Sequence, residues 1–217
     1  MRLKNYILYS IIFLTGVIAN AQLESGLLLG LTNATTADIN ATTDAAKGSL
    51  VFNTDTNQVY VFDGISWNQM GQKTTYTGTF RISGSGTLSV SGIPFQPTSV
   101  SFVAYANVED FNLDSDNGTR NNETGLPNAY GSMKGFARDD NGSITEQVIF
   151  NGGSGNSIND ISRYASDSHS IGVRYANQNG DKLGLTTATV TAFTATGFTL
   201  NTDNYADGVV VIYEAHR

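Results

Sequence analysis

The chain has 217 residues, no cysteine, and 12 Lys and Arg against 19 Asp and Glu, a formal net charge of −7 at pH 7. The lack of cysteine excludes disulfides, thiolate metal sites and cysteine nucleophiles, so an exported form of this chain must rest on its packing alone. The acidic balance disfavours a nucleic acid or an anionic membrane surface, both of which need concentrated Lys and Arg.

The N-terminus reads as a leader. Arg2 and Lys4 supply a basic start, residues 7–18 form a mostly apolar run, and Ala19-Asn20-Ala21 is an A-x-A cleavage pattern. Together these predict a signal peptide over residues 1–21 and a mature chain starting at Gln22. The apolar run is shorter than the roughly 20 residues that a spanning helix needs, so no membrane span is expected after cleavage. No cysteine stands at the cleavage site for lipid attachment. The expected location is secreted, extracellular or at the cell surface, with the periplasm as the other exported compartment. Two of the twelve basic residues leave with the leader, so ten then face nineteen acidic ones, a net charge of −9. Residues 22–217 suffice for one good core and a smaller appendage.

Residues 23–47 are weakly patterned, with apolar Leu27, Leu28, Leu29 and Leu31 and then an Ala/Thr/Asp-rich stretch. Asp38 to Ala46 reads as a short helix capped by Thr36 or Asp38 and stopped at Gly48, or as a spacer loop. From Gly48 to Met70 the pattern is sharper. Leu50 to Phe52, Val59 to Phe62 and Ile65 to Met70 predict a three-stranded meander turning at Asp55-Thr56-Asn57 and Asp63-Gly64, the third strand carrying Trp67, the only tryptophan. A meander this small cannot stand alone in water.

The run Gly48 to Trp67, GSLVFNTDTNQVYVFDGISW, resembles a repeat-type segment of secreted proteins from Bacteroidetes-type bacteria and of phage tail-fibre-like proteins. There the segment serves as a stalk upstream of a distinct C-terminal domain. The resemblance implies surface display, a homo-oligomer and in particular a trimer, and it carries over no catalytic residue.

Residues 71–75 form a short polar linker, leaving an N-terminal spacer and stalk over 22–70 and a main domain over 76–217. In that domain Thr77 to Ile82 and Thr87 to Val90 read as strands, and Gly92 to Pro97 as a corner whose two prolines exclude a central strand. Val100 to Ala106 is a strong strand. A polar excursion follows from Asn107 to Asn128, long enough to be functional or unstructured. Ser132 to Arg138 and Ile144 to Phe150 form a hairpin around Asp139 to Gly142, and Gly152 to Asp160 reads as a loop. Ser170 to Tyr175 pairs with Leu183 to Phe193. Gly197 to Asn201 and Val209 to Tyr213 close the domain, the last as a continuous apolar run expected to be buried on both faces. Eight to ten strands with regular turn signals predict an all-β, antiparallel β-sandwich of jelly-roll-like type. Pro94 to Phe102, Thr194 to Leu200 and the closing VIYEA are similar to β-sandwich modules of phage particles and tail fibres. The chain ends four residues after Tyr213, and no C-terminal sorting tail is expected.

Candidate sites are few. Glu109, Asp110, Asp114 and Asp116 fall within eight residues and could supply oxygen ligands to Ca²⁺, the one cofactor the sequence admits, although EF-hand spacing is absent. Without a cation they are a solvated polar loop. Asp139, Asp140, Asn141 and Gly142 with Glu146 form a second acidic group, and Asn-Gly there is an ordinary hairpin turn. Tyr105, Phe111, Tyr130 and Tyr164 lie near loop junctions, where aromatic side chains serve sugar binding; the same residue types are common in strands. His169 adjoins Asp167 and Ser168, but a catalytic triad needs convergence in space. No G-x-S-x-G or H-E-x-x-H pattern occurs. The sequence thus predicts a non-catalytic structural or adhesion-type protein with an oligomeric, fibre-like form. The alternative is a carbohydrate-binding or Ca²⁺-dependent module with a glycan or other surface partner.

Overall fold

The structure is a computed structural model and describes residues 30–112, 118 and 123–217. The chain divides into a unit that ends at Gln72 and a unit that begins at Lys73.

In the first unit, β1 (Thr32–Ala34) precedes a short helix α1 (Thr36–Ala41), followed by β2 (Leu50–Asn53), β3 (Gln58–Phe62) and β4 (Trp67–Gln69). They form one sheet in the order β1-β2-β3-β4, with β1 and β2 parallel and the other pairs antiparallel. The helix is shorter and starts earlier than the sequence indicates. Thr35 is its N-cap: the Asp38 N–H donates to Thr35 Oγ1 and the Thr35 N–H donates to the Asp38 carboxylate, a reciprocal capping box. At Thr42 the backbone turns extended, and the Thr42 hydroxyl bonds back to the carbonyl of Asp38 at 2.9 Å. Buried Asn53 holds the unit together. Its carbonyl oxygen accepts the N–H groups of Asp55 and Thr56, and its amide donates to Thr36 Oγ1 at 2.9 Å, which fixes the β2–β3 turn and ties it to the helix start. Asp63 organises the next turn by accepting the N–H groups of Ile65 and Ser66, while Gly64 takes a positive φ. The Trp67 indole packs on Phe62 and donates to the Thr42 carbonyl at 2.9 Å.

The second unit is the expected all-β sandwich. Its strands among the described residues are β5 (Thr75–Ile82), β6 (Gly86–Ser91), β7 (Ser99–Tyr105), β8 (Ala129–Asp139), β9 (Ile144–Ser154), β10 (Ser157–Ser166), β11 (Ile171–Ala176), β12 (Lys182–Thr194), β13 (Gly197–Asn204) and β14 (Val209–His216). A six-stranded sheet runs β10-β9-β8-β7-β14-β5 and a four-stranded sheet runs β11-β12-β13-β6, every pair antiparallel. The first strand pairs with the last and the second with the next to last, which wraps the domain shut in jelly-roll fashion. Two hairpin meanders, β7 to β10 and β11 to β13, fill the rest.

The core lies between the sheets. Phe198 of the four-stranded sheet meets Phe80, Phe102 and Tyr213 of the other at centroid distances of 6.0, 5.7 and 5.3 Å, all edge-to-face. Ile82, Val100, Met133, Val148, Phe150, Ile171, Val173 and Leu200 extend this core. The corner at residues 92–97 is no strand. It turns Ile93 and Phe95 inward, and the Ile93 N–H donates to the carbonyl of Thr196 at 3.0 Å.

Three expectations change. Gly152 to Asp160 is not a loop: β9 continues through Ser154, and β10 returns from Ser157. The inward positions of β10 include Ser162 and Tyr164, and Tyr164 lies against Gly172, where an added methyl would fall 2.4 Å from its Cε1. Small and polar inward residues hid this strand. Val209 to Tyr213 is not buried on both faces, since Val209, Val211 and Tyr213 point inward and Ile212 outward. Glu146 does not belong with the acids of the Asp139 to Gly142 turn. It shares the parity of Val148 and Phe150, and its carboxylate accepts the Val190 N–H at 2.6 Å, beside the register shift of β12. Burial raises the Glu146 carboxyl, with hydrogen bonds from Val190 and Ser170 and the nearby His169 acting in the opposite sense.

Two predictions follow from this core. Phe198→Ala removes the contact shared by three rings and should cost about 3–5 kcal/mol in urea unfolding. For Glu146, a carboxyl raised on folding binds more protons in the folded than in the unfolded chain, between its ordinary value and the raised one. Its contribution to stability therefore falls as pH rises through that window. Glu146→Gln keeps an acceptor for Val190 and removes the titration. The stability gap between variant and wild type, measured by urea unfolding from about pH 4 to about pH 7, should move in the variant's favour as pH rises; a gap independent of pH would refute this.

Candidate functional site

The outward face of the six-stranded sheet is the surface that carries exposed, chemically distinctive side chains. Strand register places them in rows. One row crosses β5, β14, β7, β8, β9 and β10 as Thr79, Ile212, Val103, Lys134, Ile149 and Ala165. The next row along the strands is Tyr105, Ser132, Asn151 and Arg163, and the one beyond it Tyr130, Gly153 and Ile161. On the other side of the first row stand Thr77, Glu214, Ser101, Phe136 and Gln147. Tyr105, Tyr130, Ile149, Ile161 and Ile212 are each at least 47% exposed. A shallow concavity of about 720 Å³ lies on this face, lined chiefly by Val103, Tyr105, Lys134, Phe136, Ile149 and Asn151. Tyr130 lies across Gly153, where a methyl would fall 3.0 Å from the tyrosine oxygen. A side chain at Gly153 would crowd this ring where it rests on the sheet. Lys134 and Arg163 form no ion pair among the described residues, whereas Arg81 holds Asp110 at 2.9 Å and Arg138 holds Asp140 at 3.0 Å.

The four aromatic residues singled out from sequence do not converge. Tyr105 and Tyr130 share the open face. Tyr164 is on the opposite side of its sheet, against Gly172 and His169. Phe111 is exposed in the segment after β7. Of the acidic candidates, Asp114 and Asp116 lie outside the described residues. Glu109 is raised by burial and by Asp207 beside it, and Asp110 pairs with Arg81. Among the described residues no group of three His, Cys, Asp or Glu is arranged to hold a metal ion. The start of this segment is anchored: Asn107 adopts a positive φ and its amide donates to the carbonyls of Leu126 and Ala129, and Val210 donates to the Val108 carbonyl at 2.8 Å.

A second polar group surrounds His169. Its Nε2 donates to the Asp203 carboxylate at 2.9 Å, and its Nδ1 lies 2.9 Å from the Ser166 hydroxyl oxygen. Burial alone would raise the Asp203 carboxyl; hydrogen bonds from Thr187 and His169 outweigh it and hold the group below the ordinary carboxylate range. This is convergence of Ser, His and Asp, but Ser166 Oγ also accepts the N–H of Ser168 at 3.2 Å and so shapes the turn between β10 and β11. The group fastens that turn to the end of β13. Sequence could not show it, because His169 and Asp203 are 34 residues apart.

The residues that sequence reasoning missed are Val103, Lys134, Ile149, Ile161 and Ile212. A signal for some of them was present: Val148, Ile149 and Phe150 are apolar on both parities, as are Val211, Ile212 and Tyr213. Such runs read as strands buried on both faces. Here the second face is open.

No helix among the described residues is long and apolar enough to cross a membrane. No curated protein and no solved structure matches the chain. The family model described as the phage tail like trimerisation region matches residues 18–85, so that the chain from before β1 through β5 is similar to a phage-tail trimerisation region, and the stalk-like run Gly48 to Trp67 lies inside the match.

Proposed function

We propose that this chain is an exported, non-catalytic structural protein of adhesion type. Its N-terminal unit gathers copies into a fibre-like trimer, and its C-terminal sandwich is the part displayed. The observation that carries this reading is the match of residues 18–85 to a phage tail like trimerisation region. The first unit supports it in physical terms. Its buried apolar side chains among the described residues are Ile39, Val51 and Phe62, while Leu50, Ile65 and Met70 are large, apolar and exposed. A four-stranded sheet with so little interior gains its stability by covering such residues with a partner. The leader over residues 1–21 supplies the export route. The sandwich contributes an open sheet face available for contact.

Size-exclusion chromatography with light scattering on residues 22–217 should give three times the mass of one chain, retained on dilution to low micromolar concentration. A single-chain mass throughout would overturn the trimeric reading. The Leu50→Asp, Ile65→Asp double variant, measured in the same way, should shift toward the mass of one chain, because two charges would have to be desolvated at the contact.

A further inference from the structure

We infer that the outward face of the six-stranded sheet, centred on Ile149, Ile212 and Tyr105, is a contact between copies of this chain. The inference rests on the trimeric reading above and adds to it a second interface, on the sandwich.

The face has the composition of an interface more than that of a free surface. Ile212, Val103, Lys134 and Ile149 follow one another in one row across β14, β7, β8 and β9, with Tyr105 and Phe136 in the rows on either side. Aromatic and aliphatic residues at the centre, with Ser, Gln, Asn and Arg at the rim, are the usual anatomy of a protein contact. A contiguous apolar patch of this kind on an exported protein is a liability unless something covers it. The concavity of about 720 Å³ gives a convex neighbour a seat.

The occupant follows from three further observations. First, residues 70–74 alone separate β4 from β5. Fully extended they span at most about 20 Å, so copies joined through their N-terminal units hold their sandwiches at high effective concentration, on the order of millimolar. Second, the matched region, residues 18–85, runs through this connection and includes all of β5, an edge strand of this same sheet. Third, the face carries both signs, Lys134 and Arg163 against Glu214. Two charges of opposite sign at different points of one face allow one copy's lysine to meet the next copy's glutamate, as the head-to-tail contacts of a closed three-membered ring require.

The absence of native cysteine makes the test direct. Single variants Ile149→Cys and Ile212→Cys replace exposed side chains and leave the core untouched; Thr194→Cys, exposed on the other sheet, is the control. Each is prepared over residues 22–217, its mass is measured by light scattering, and its reaction rate with a soluble aromatic disulfide is followed. In the trimer, the thiols at 149 and 212 should react about tenfold or more slowly than the thiol at 194, because access controls thiol reactivity. They should speed up in the Leu50→Asp, Ile65→Asp background, where the copies separate. A trimer in which all three thiols react alike overturns this inference and leaves the trimeric reading standing. Protection in a single-chain species overturns both, since the cover then comes from within one chain. A face kept free for a glycan would give the first of these results in glycan-free buffer.

Discussion

The sandwich depends on one contact: Phe198 on one sheet set edge-on against Phe80, Phe102 and Tyr213 on the other. Those three rings come from β5, β7 and β14, which are adjacent in the six-stranded sheet. The strands adjacent in space are thus the first, third and last of the domain. Ring packing at this point therefore closes the chain's longest loops and sets the register of the rest. Gly78 shows how little slack there is. A methyl at that position would meet the Tyr213 ring at 2.5–2.8 Å, so β5 keeps a glycine where the tyrosine crosses it. Because the six-stranded sheet is pinned from its inner side, its outer side is free to vary in chemistry without unfolding the domain.

That asymmetry also explains which parts of the fold were legible in the sequence. Strands β7 and β13 set Val100, Phe102 and Ala104, and Phe198 and Leu200, at alternate inward positions, and period-two reading finds them even though the outward side of β7 also carries Val103 and Tyr105. The corner at residues 92–97 is announced by its prolines. Strand β10 was invisible because its inward side is not apolar: buried Ser162 donates to the Arg174 carbonyl at 3.0 Å and accepts from the Arg174 guanidinium at 2.9 Å. Polar groups satisfied across the sandwich look, in sequence, like a loop. The short helix was legible in kind but not in extent, since a capping box at Thr35 and Asp38 competes with the other Thr and Asp residues nearby, and only the three-dimensional partners choose among them.

The candidate site was less legible than the fold, for a reason of the same sort. Aromatic residues near loop ends are poor guides, because strand parity decides which side of a sheet they face. Tyr130 and Tyr164 differ in nothing that sequence shows, yet one lies over Gly153 on the open face and the other is tucked against Gly172 inside. Conversely, Ile212 reads as an interior residue because its run is apolar on both parities, and Val148 to Phe150 carries the same pattern around Ile149. A run apolar on both parities says that both faces of a strand are to be covered. It does not say by what, and a second chain satisfies the pattern as well as a second layer of the same domain.

The two units pose this covering problem on different scales. The sandwich has a large interior and could bear an exposed stripe. The N-terminal unit has a sheet whose described interior amounts to a few side chains, held by polar devices: the Asn53 hub, the Asp63 turn and the Trp67 indole bond to Thr42. Hydrogen bonds of this kind specify geometry well and add modest net stability. What they cannot supply is apolar burial, which has to come from outside a unit of this size. Assembly would supply it, and each chain added would bury the exposed Leu50, Ile65 and Met70 along with whatever surface it brings. If copies associate as proposed, the N-terminal sheet gains the apolar cover that its polar devices do not give, and the open face of the sandwich meets the same need in the same way.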